Sequence, residues 1–356
     1  MKLAEIARRR LHAQLIAGAS AKTPAEAVAR LGAVQSQDYG GGKWAVGLRV
    51  AGGTEKAVDE AIAARTVVRT WPMRGTLHFV AAPDVRWMLE LLTPRVVAGA
   101  ARRRQELELD DALFLRAEKI LLKALQGGRR LSREAVYEIL TKGGVKAEGS
   151  RGYHILWRLA QEGLLCFAAP DGGKKPTFAL LEEWVPAAKK RDRADALAEL
   201  AYRYAAGHGP ASVADLVWWS GLKVSEAKEG LALAASRLEK ATADGIDYWM
   251  APGAGEAPKG VVLLPGFDEY LLGYRDRAAV IDPRFADRVC PGGNGIFLPM
   301  VVVDGRVEGT WKRVVRKGGI TVTACPFTRF SAATVPCLKK AVEVYGRFLG
   351  GTAALA

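Results

Sequence analysis

Cysteine and histidine are scarce in this chain of 356 residues, which contains four of each. The cysteines form no CxxC pair and are too sparse for a disulfide framework, so we expect them to be packing residues. The histidines show no spacing that places two on one face of a helix or strand. We therefore expect neither a metal site nor another cofactor.

Long apolar runs are also missing. No segment approaches the length needed to cross a bilayer, and the N-terminus reaches Arg8-Arg9-Arg10 without the apolar core of a signal peptide. These absences predict a cytoplasmic protein that does not enter membranes. The hydrophobic fraction of 49% and the charged fraction of 25% are ordinary for globular proteins, and the chain length suits two to four compact units.

Positive charge is the most informative feature of the composition. The chain has 52 lysines and arginines against 38 aspartates and glutamates, a net charge of +14. The field of such a protein favours polyanions, and nucleic acid is the leading candidate because phosphate contacts supply most sequence-independent affinity. Basic proteins without that role are common, so charge alone leaves the partner open.

The clearest structural unit is predicted between residues 112 and 180. An apolar helix ends at Gly127-Gly128, Ser132 and Ser150 are expected to cap two further helices, and strands are expected at 164–168 and 177–180 around a basic turn at 170–175. Three helices and a hairpin predict a winged helix. Its third helix carries one polar face suited to a DNA groove. That face consists of Arg151, His154 and Arg158.

Similar patterns precede and follow this unit. Thr23-Pro24-Ala25-Glu26 predicts a capped helix, and residues 44–50 and 69–80 are expected to be strand-rich. Farther on, helices are expected at 194–206, from Ser212 and from Ser225, before a strand at 246–250. Residues 189–193 are expected to link the second and third units. The repetition favours several winged-helix units over one large domain.

Beyond a Gly- and Pro-rich linker at 252–258 the pattern turns to β structure. A strand is predicted at 261–264, a hairpin with an Asp304-Gly305 turn at 299–311, and an amphipathic helix at 335–349. The fold class is therefore α+β. The predicted domains are 1–111, a first winged helix that contains the run Val34-Gln35-Ser36-Gln37-Asp38, called the glutamine motif; 112–188, a second winged helix; 189–257, a third; and 258–356, a C-terminal β domain with a terminal helix.

Three short runs could carry chemistry. In the first, Gln35 and Gln37 would point to one side of an extended chain and could orient a water or a sugar, although a polar helix end before a glycine turn is the plainer interpretation. In the second, Arg74 and His78 could line a cleft, although buried histidines are often structural. The third contains Asp268.

In that third run, residues 264–277, Asp268 stands next to Glu269. Paired carboxylates can perform acid–base catalysis, which would make the protein a hydrolase, but no further catalytic partner is visible. We favour ion pairs from the two acids to Arg275 and Arg277 that hold the β domain together.

Four ordered motifs resemble the AlkZ-like winged-helix DNA glycosylases, along nearly the whole chain. They are Val34-Gln35-Ser36-Gln37-Asp38, Thr70-Trp71-Pro72-Met73-Arg74-Gly75-Thr76-Leu77-His78, Asp215-Leu216-Val217-Trp218-Trp219-Ser220-Gly221-Leu222 and Gly266-Phe267-Asp268-Glu269-Tyr270-Leu271-Leu272-Gly273-Tyr274. The resemblance implies three tandem winged helices and a C-terminal β-barrel-like domain around a DNA-binding concavity. It also implies that Gln35 and Gln37 are the catalytic pair, with Ser36 departing from the usual apolar middle residue.

The activity so implied is monofunctional excision of alkylated purines from double-stranded DNA by a monomeric enzyme. An N7- or N3-alkyl purine is cationic and a good leaving group, so two amides need only place water and face the positive charge that develops on the sugar. Bulky or cross-linked adducts are included as candidate substrates. The alternative is a non-catalytic winged-helix regulator. The full set of expected DNA contacts is Trp44, Arg74, His78, Arg151, His154, Arg158, Lys312 and Arg313.

Overall fold

A computed structural model describes residues 1–170, 175–185, 190–316 and 318–356. The chain divides into two compact units. Unit 1 combines residues 1–58 with residues 197–356, and unit 2 comprises residues 59–196. Because residues 1–111 contribute to both units, the predicted domain boundaries at 111, 188 and 257 stay predictions.

Helices are distributed along both units. They are α1 (Leu3–Ala13), α2 (Pro24–Leu31), α3 (Tyr39–Gly47), α4 (Glu55–Ala63), α5 (Val85–Gly99), α6 (Ala101–Glu106), α7 (Asp111–Leu125), α8 (Arg133–Lys142), α9 (Gly149–Gln161), α10 (Leu181–Trp184), α11 (Arg193–His208), α12 (Val213–Ser220), α13 (Val224–Leu233), α14 (Glu269–Leu272), α15 (Ala286–Val289) and α16 (Thr334–Phe348). Among the described residues, no helix is long and apolar enough to span a membrane.

The described strands are β1 (Val34–Gln35), β2 (Val67–Met73), β3 (Thr76–Ala81), β4 (Leu165–Ala168), β5 (Thr177–Leu180), β6 (Glu239–Ala243), β7 (Ile246–Met250), β8 (Val261–Leu264), β9 (Met300–Val303), β10 (Arg306–Arg316), β11 (Gly319–Pro326) and β12 (Ala353–Leu355). The two longest of the described strands, β10 and β11, lie in the C-terminal part.

Unit 2 contains a helix and strand order typical of a winged helix. Helix α7 is followed by Leu131, which bridges to Phe178 of β5, then by α8, α9 and the antiparallel pair β4–β5. Ser132 caps α8 as predicted, its hydroxyl accepting the N–H of Ala135 at 3.1 Å. The apolar faces of the three helices pack with both strands in one core. The predicted turn at 170–175 lies largely outside the described residues, as does Lys189 of the predicted linker.

Unit 1 contains the same order a second time. Helix α11 precedes Ala211, which bridges to Trp249 of β7, and α12, α13 and the pair β6–β7 follow. The predicted capping box at the start of α12 is present, because Ser212 and Asp215 each accept the other's main-chain N–H, at 3.2 and 3.0 Å. Local capping chemistry therefore sets where this helix begins.

The C-terminal part of unit 1 is a curled sheet of order β12-β11-β10-β9-β8. Both edge strands, β8 and β12, pack on α16, so one helix contacts both edges of the sheet. Asp304 and Gly305, both with positive φ, form the predicted turn between β9 and β10. The expected C-terminal β-barrel-like domain is confirmed at the coarser level of a curled sheet, with α16 contacting both of its edge strands.

Two local predictions are wrong. Residues 44–50 were expected to be strand-rich, yet helix α3 covers 39–47 because tertiary packing overrides the low helix propensity of its glycines. A Cβ on Gly47 would lie 2.3 Å from the ring of Phe348, so only glycine allows this close approach. Ser150 does not cap α9, because Gly149, with φ of +53°, already begins the helix and Glu148 is its N-cap.

Candidate active site

The glutamine motif lies in unit 1, where β1 passes into α3. Gln35 ends the strand with 9% of its surface exposed, Ser36 is completely buried, and Gln37 is exposed. The serine side chain therefore points into the protein while Gln37 faces outward. A small buried residue takes the place of the usual apolar middle residue, so Ser36 does not occupy the space in which the two amides would meet a ligand.

The main chain of Gln35 is held by a carboxylate from a distant part of unit 1. The N–H of Gln35 donates to Oε1 of Glu269 at 3.1 Å, and the indole Nε1–H of Trp219 donates to Oε2 at 2.9 Å. Nε2 of His208 lies 3.5 Å from the same Oε2. Burial lowers the pKa of His208, so the ring is neutral at physiological pH.

A second buried acid stands beside the first. Asp268 forms a bidentate ion pair with Arg49, at 2.8 and 3.0 Å, and neither side chain is exposed. The guanidinium also donates to the main-chain and side-chain oxygens of Gln14, both at 2.9 Å. Asp268 also accepts the main-chain N–H of Tyr270 at the start of α14.

These partners correct two expectations about Asp268 and Glu269. Asp268 pairs with Arg49 rather than with Arg275 or Arg277 as predicted. Glu269 accepts hydrogen bonds from Gln35 and Trp219, and Arg277 donates to the carbonyl of Leu271. Both acids are buried, at 1% and 0% exposure, so they cannot serve as an exposed acid–base pair of a hydrolase. Sequence reasoning missed the connection of Glu269 to Gln35 because it spans 234 residues and leaves no local pattern.

Trp44 is a core residue of unit 1. Its ring is 3% exposed and packs against Tyr345 and Phe348 at centroid distances of 5.1 and 4.9 Å. Its Nε1–H donates to the carbonyl of Leu263 at 2.9 Å. The predicted DNA contact is corrected to a packing role, because both the ring and its polar atom are already engaged inside the protein.

Lys312 and Arg313 lie on the exposed arm of β10. The pair β10–β11 extends beyond the buried Trp311 and carries Val315, which is 63% exposed. The guanidinium of Arg313 is 5.5 Å from the ring centre of Tyr345 and lies next to Gly40 at the start of α3. The structure therefore brings Arg313 close to the glutamine motif.

Arg74 and His78 lie together in unit 2. Arg74 and Gly75, both with positive φ, form the turn between β2 and β3. Nη2 of Arg74 is 3.5 Å from Nε2 of His78, and Nδ1 of the same ring is 2.9 Å from the carbonyl of Thr76. Nδ1 therefore carries the hydrogen and Nε2 accepts. His78 is buried, so Arg74 is the member of this pair nearer to solvent.

The predicted DNA-reading face of α9 is occupied by contacts within unit 2. Arg158 forms ion pairs with Asp111 at 2.9 Å and Glu162 at 2.8 Å. Arg151 lies 3.6 Å from Glu108. Burial and the neighbouring Arg103 lower the pKa of His154, which keeps its ring neutral at physiological pH. The positive charge of this face is thus partly neutralised.

Comparison with known proteins places the chain among the DNA glycosylases. A family model described as DNA glycosylase AlkZ-like matches residues 28–348. The interstrand DNA cross-link repair glycosylase of Streptomyces sahachiroi is 27% identical, over 90% of this chain and 89% of the relative. The solved structure of Streptomyces sahachiroi DNA glycosylase AlkZ matches with a TM-score of 0.77 at 23% identity, covering all of both chains, and supports the fold.

The chain belongs to the AlkZ-like DNA glycosylase family. It is therefore an enzyme that acts on DNA, and the alternative of a non-catalytic regulator is set aside.

Proposed function

We propose that this glycosylase hydrolyses the N-glycosidic bond of N7- or N3-alkylated purines, with Gln35 and Gln37 holding the attacking water. The observation that carries the proposal is the arrangement of the motif at the end of β1. Ser36 is buried, Gln37 is exposed, and the main chain of Gln35 is tethered to Glu269. A tethered Gln35 beside an exposed Gln37 suits the fixed placement of a water molecule.

The residue types fit a substrate that is already activated. A cationic alkylated purine leaves readily, so little acid catalysis is required, and the developing positive charge on the sugar faces amide oxygens. An amide is a poor base, which favours labile cationic lesions over normal bases. The burial of Asp268 and Glu269 agrees with a reaction that needs little acid catalysis, because neither carboxylate is available to protonate a leaving base.

We further propose that bulky or cross-linked adducts are among the substrates, because the relative from Streptomyces sahachiroi is an interstrand cross-link repair glycosylase. Such a lesion cannot be fully rotated out of the duplex, so the enzyme would act with the base still in the helix. We propose a monomer whose DNA contacts include Lys312 and Arg313, since their arm is exposed and lies beside the motif. Arg74 is a further proposed contact.

The test uses enzyme in excess over a duplex carrying one N7-methylguanine, with abasic sites cleaved by alkali and quantified on a gel. Gln35→Ala and Gln37→Ala should each lower the single-turnover rate by about 10- to 100-fold, with DNA affinity retained. Gln126→Ala, an exposed glutamine at the end of α7, is the matched control. A double Gln35→Ala, Gln37→Ala variant that excises at the wild-type rate refutes the assignment of the site.

A second duplex, cross-linked between two guanine N7 atoms by a nitrogen mustard, tests the substrate range. Unhooking of this duplex that depends on both glutamines is the expected result. Excision of N7-methylguanine without unhooking would restrict the proposal to small lesions.

A further inference from the structure

We propose that Glu269 is a positioning residue for base excision and acts through Gln35. The proposal rests on the catalytic role proposed above for Gln35. Its basis is a hydrogen bond of 3.1 Å from the main-chain N–H of Gln35 to a carboxylate that is completely buried. Gln35 is the last residue of β1, so this bond holds the main chain at the end of the strand, two residues before Gln37.

The carboxylate is itself fixed in place. Trp219 donates to its second oxygen at 2.9 Å, and the indole is completely buried, 5.0 Å from the ring of Tyr204 and 5.4 Å from that of His208. The chain after Glu269 is also confined, because a Cβ on Gly273 would lie 2.7 Å from the His208 ring. Glu269 is therefore a rigid reference point in the core of unit 1.

Such a reference point matters because a short segment carries both amides. Only Ser36 separates Gln35 from Gln37, and α3 begins at Tyr39. A shift of the Gln35 main chain moves both side chains relative to the sugar, and a misplacement of about 1 Å costs about 100-fold in rate. A carboxylate is a stronger hydrogen-bond acceptor than a neutral oxygen, which suits this task.

The chemistry of the site distinguishes a carboxylate from an amide of the same shape. Two N–H donors, from Gln35 and Trp219, converge on Glu269, one on each oxygen. Glutamine offers a single acceptor oxygen and an NH2 group. In Glu269→Gln, the NH2 group would face one of the two donors, so either the bond to Gln35 or the bond that anchors the side chain is lost.

The experiment separates placement from binding. Single-turnover excision of N7-methylguanine is measured at saturating enzyme, and the DNA dissociation constant is measured separately. Glu269→Gln should lower the rate by about 10- to 100-fold with the dissociation constant within about twofold of wild type. Trp219→Phe keeps a smaller aromatic ring at this position but removes the anchoring donor and should cause a smaller loss. It also carries the test if circular dichroism shows that Glu269→Gln does not fold.

The matched control is Tyr270→Phe on the same short helix. Its hydroxyl lies 2.6 Å from the carbonyl oxygen of Gly305, to which it donates, and 3.1 Å from that of Ala7, so its removal destabilises the same region without touching Gln35. We expect a lower melting temperature with an excision rate close to wild type. An equal loss of rate in Tyr270→Phe would mean that general destabilisation explains the Glu269 variant, and would overturn the proposal.

A double-variant cycle shows whether Glu269 acts through Gln35. Gln35→Ala keeps the main-chain N–H but removes the side-chain amide, so adding Glu269→Gln should slow this variant less than it slows the wild type, because only Gln37 remains to be displaced. Additive losses would refute the positioning role. Full activity of Glu269→Gln beside a slow Gln35→Ala would refute it while leaving the proposed function intact, whereas a Gln35→Ala enzyme at the wild-type rate would overturn the proposed function itself.

Discussion

Replacing Arg49 by methionine should leave the carboxylate of Asp268 buried without its cation. All five N–H donors of the guanidinium are used: two go to Asp268 at 2.8 and 3.0 Å, two to oxygens of Gln14, and one to the carbonyl of Ala45 at 2.7 Å. Removing one partner of a fully buried ion pair costs about 3–5 kcal/mol. For a folded unit of about 150–250 residues, such as unit 1, this loss should lower the melting temperature by about 6–20 °C.

Differential scanning calorimetry of the wild type, Arg49→Met, and the double variant Arg49→Met, Asp268→Asn measures this effect. Asparagine is neutral, and its oxygen can still accept the N–H of Tyr270, so the double variant should recover about 2 kcal/mol relative to Arg49→Met. A loss below about 1 kcal/mol in Arg49→Met, or no recovery in the double variant, would show that the uncompensated charge is not what destabilises the protein.

Two further outcomes are expected. Burial lowers the pKa of His208 in the folded chain, whereas in the unfolded chain the imidazole takes up a proton at its ordinary pKa of about 6.5. Stability that is present above this pKa is therefore lost as the pH falls toward the lower folded value. His208→Phe, which retains the stack on Tyr204, should reduce the difference between the melting temperatures measured at about pH 8 and about pH 5. Fluorescence anisotropy measures the slope of the logarithm of the DNA-binding constant against the logarithm of the salt concentration. The double variant Lys312→Ala, Arg313→Ala should make this slope shallower by about two, whereas the control Lys340→Ala on α16 should not. Equal slopes for the wild type and the double variant would remove this arm from the DNA contacts.

Local chemistry predicted many elements of the fold. The reciprocal caps of Ser212 and Asp215 begin α12 where the sequence indicates, and the Asp304-Gly305 pair turns β9 into β10. Both signals depend on residues within a few positions of one another, so no distant partner is needed. Helix α3 shows the opposite case. Its glycines oppose a helix, and contact with Phe348, far along the chain, decides the outcome.

The candidate site, like the fold, was predicted only in part from the sequence. The motif around Gln35 and Gln37 was recognisable from the sequence, as was the cationic character of the chain. The roles of Trp44 and Glu269 were not, because burial and partner choice depend on residues brought together by folding.

The sequence by itself determined the α+β class, most element positions and the glutamine motif, since periodicity, capping and short motifs are properties of neighbouring residues. Only the tertiary structure decided that Glu269 tethers Gln35 and that Asp268 pairs with Arg49 rather than with a nearby arginine. Both acids are excluded from water, and the partner of a buried charge is selected by three-dimensional packing rather than by proximity along the chain.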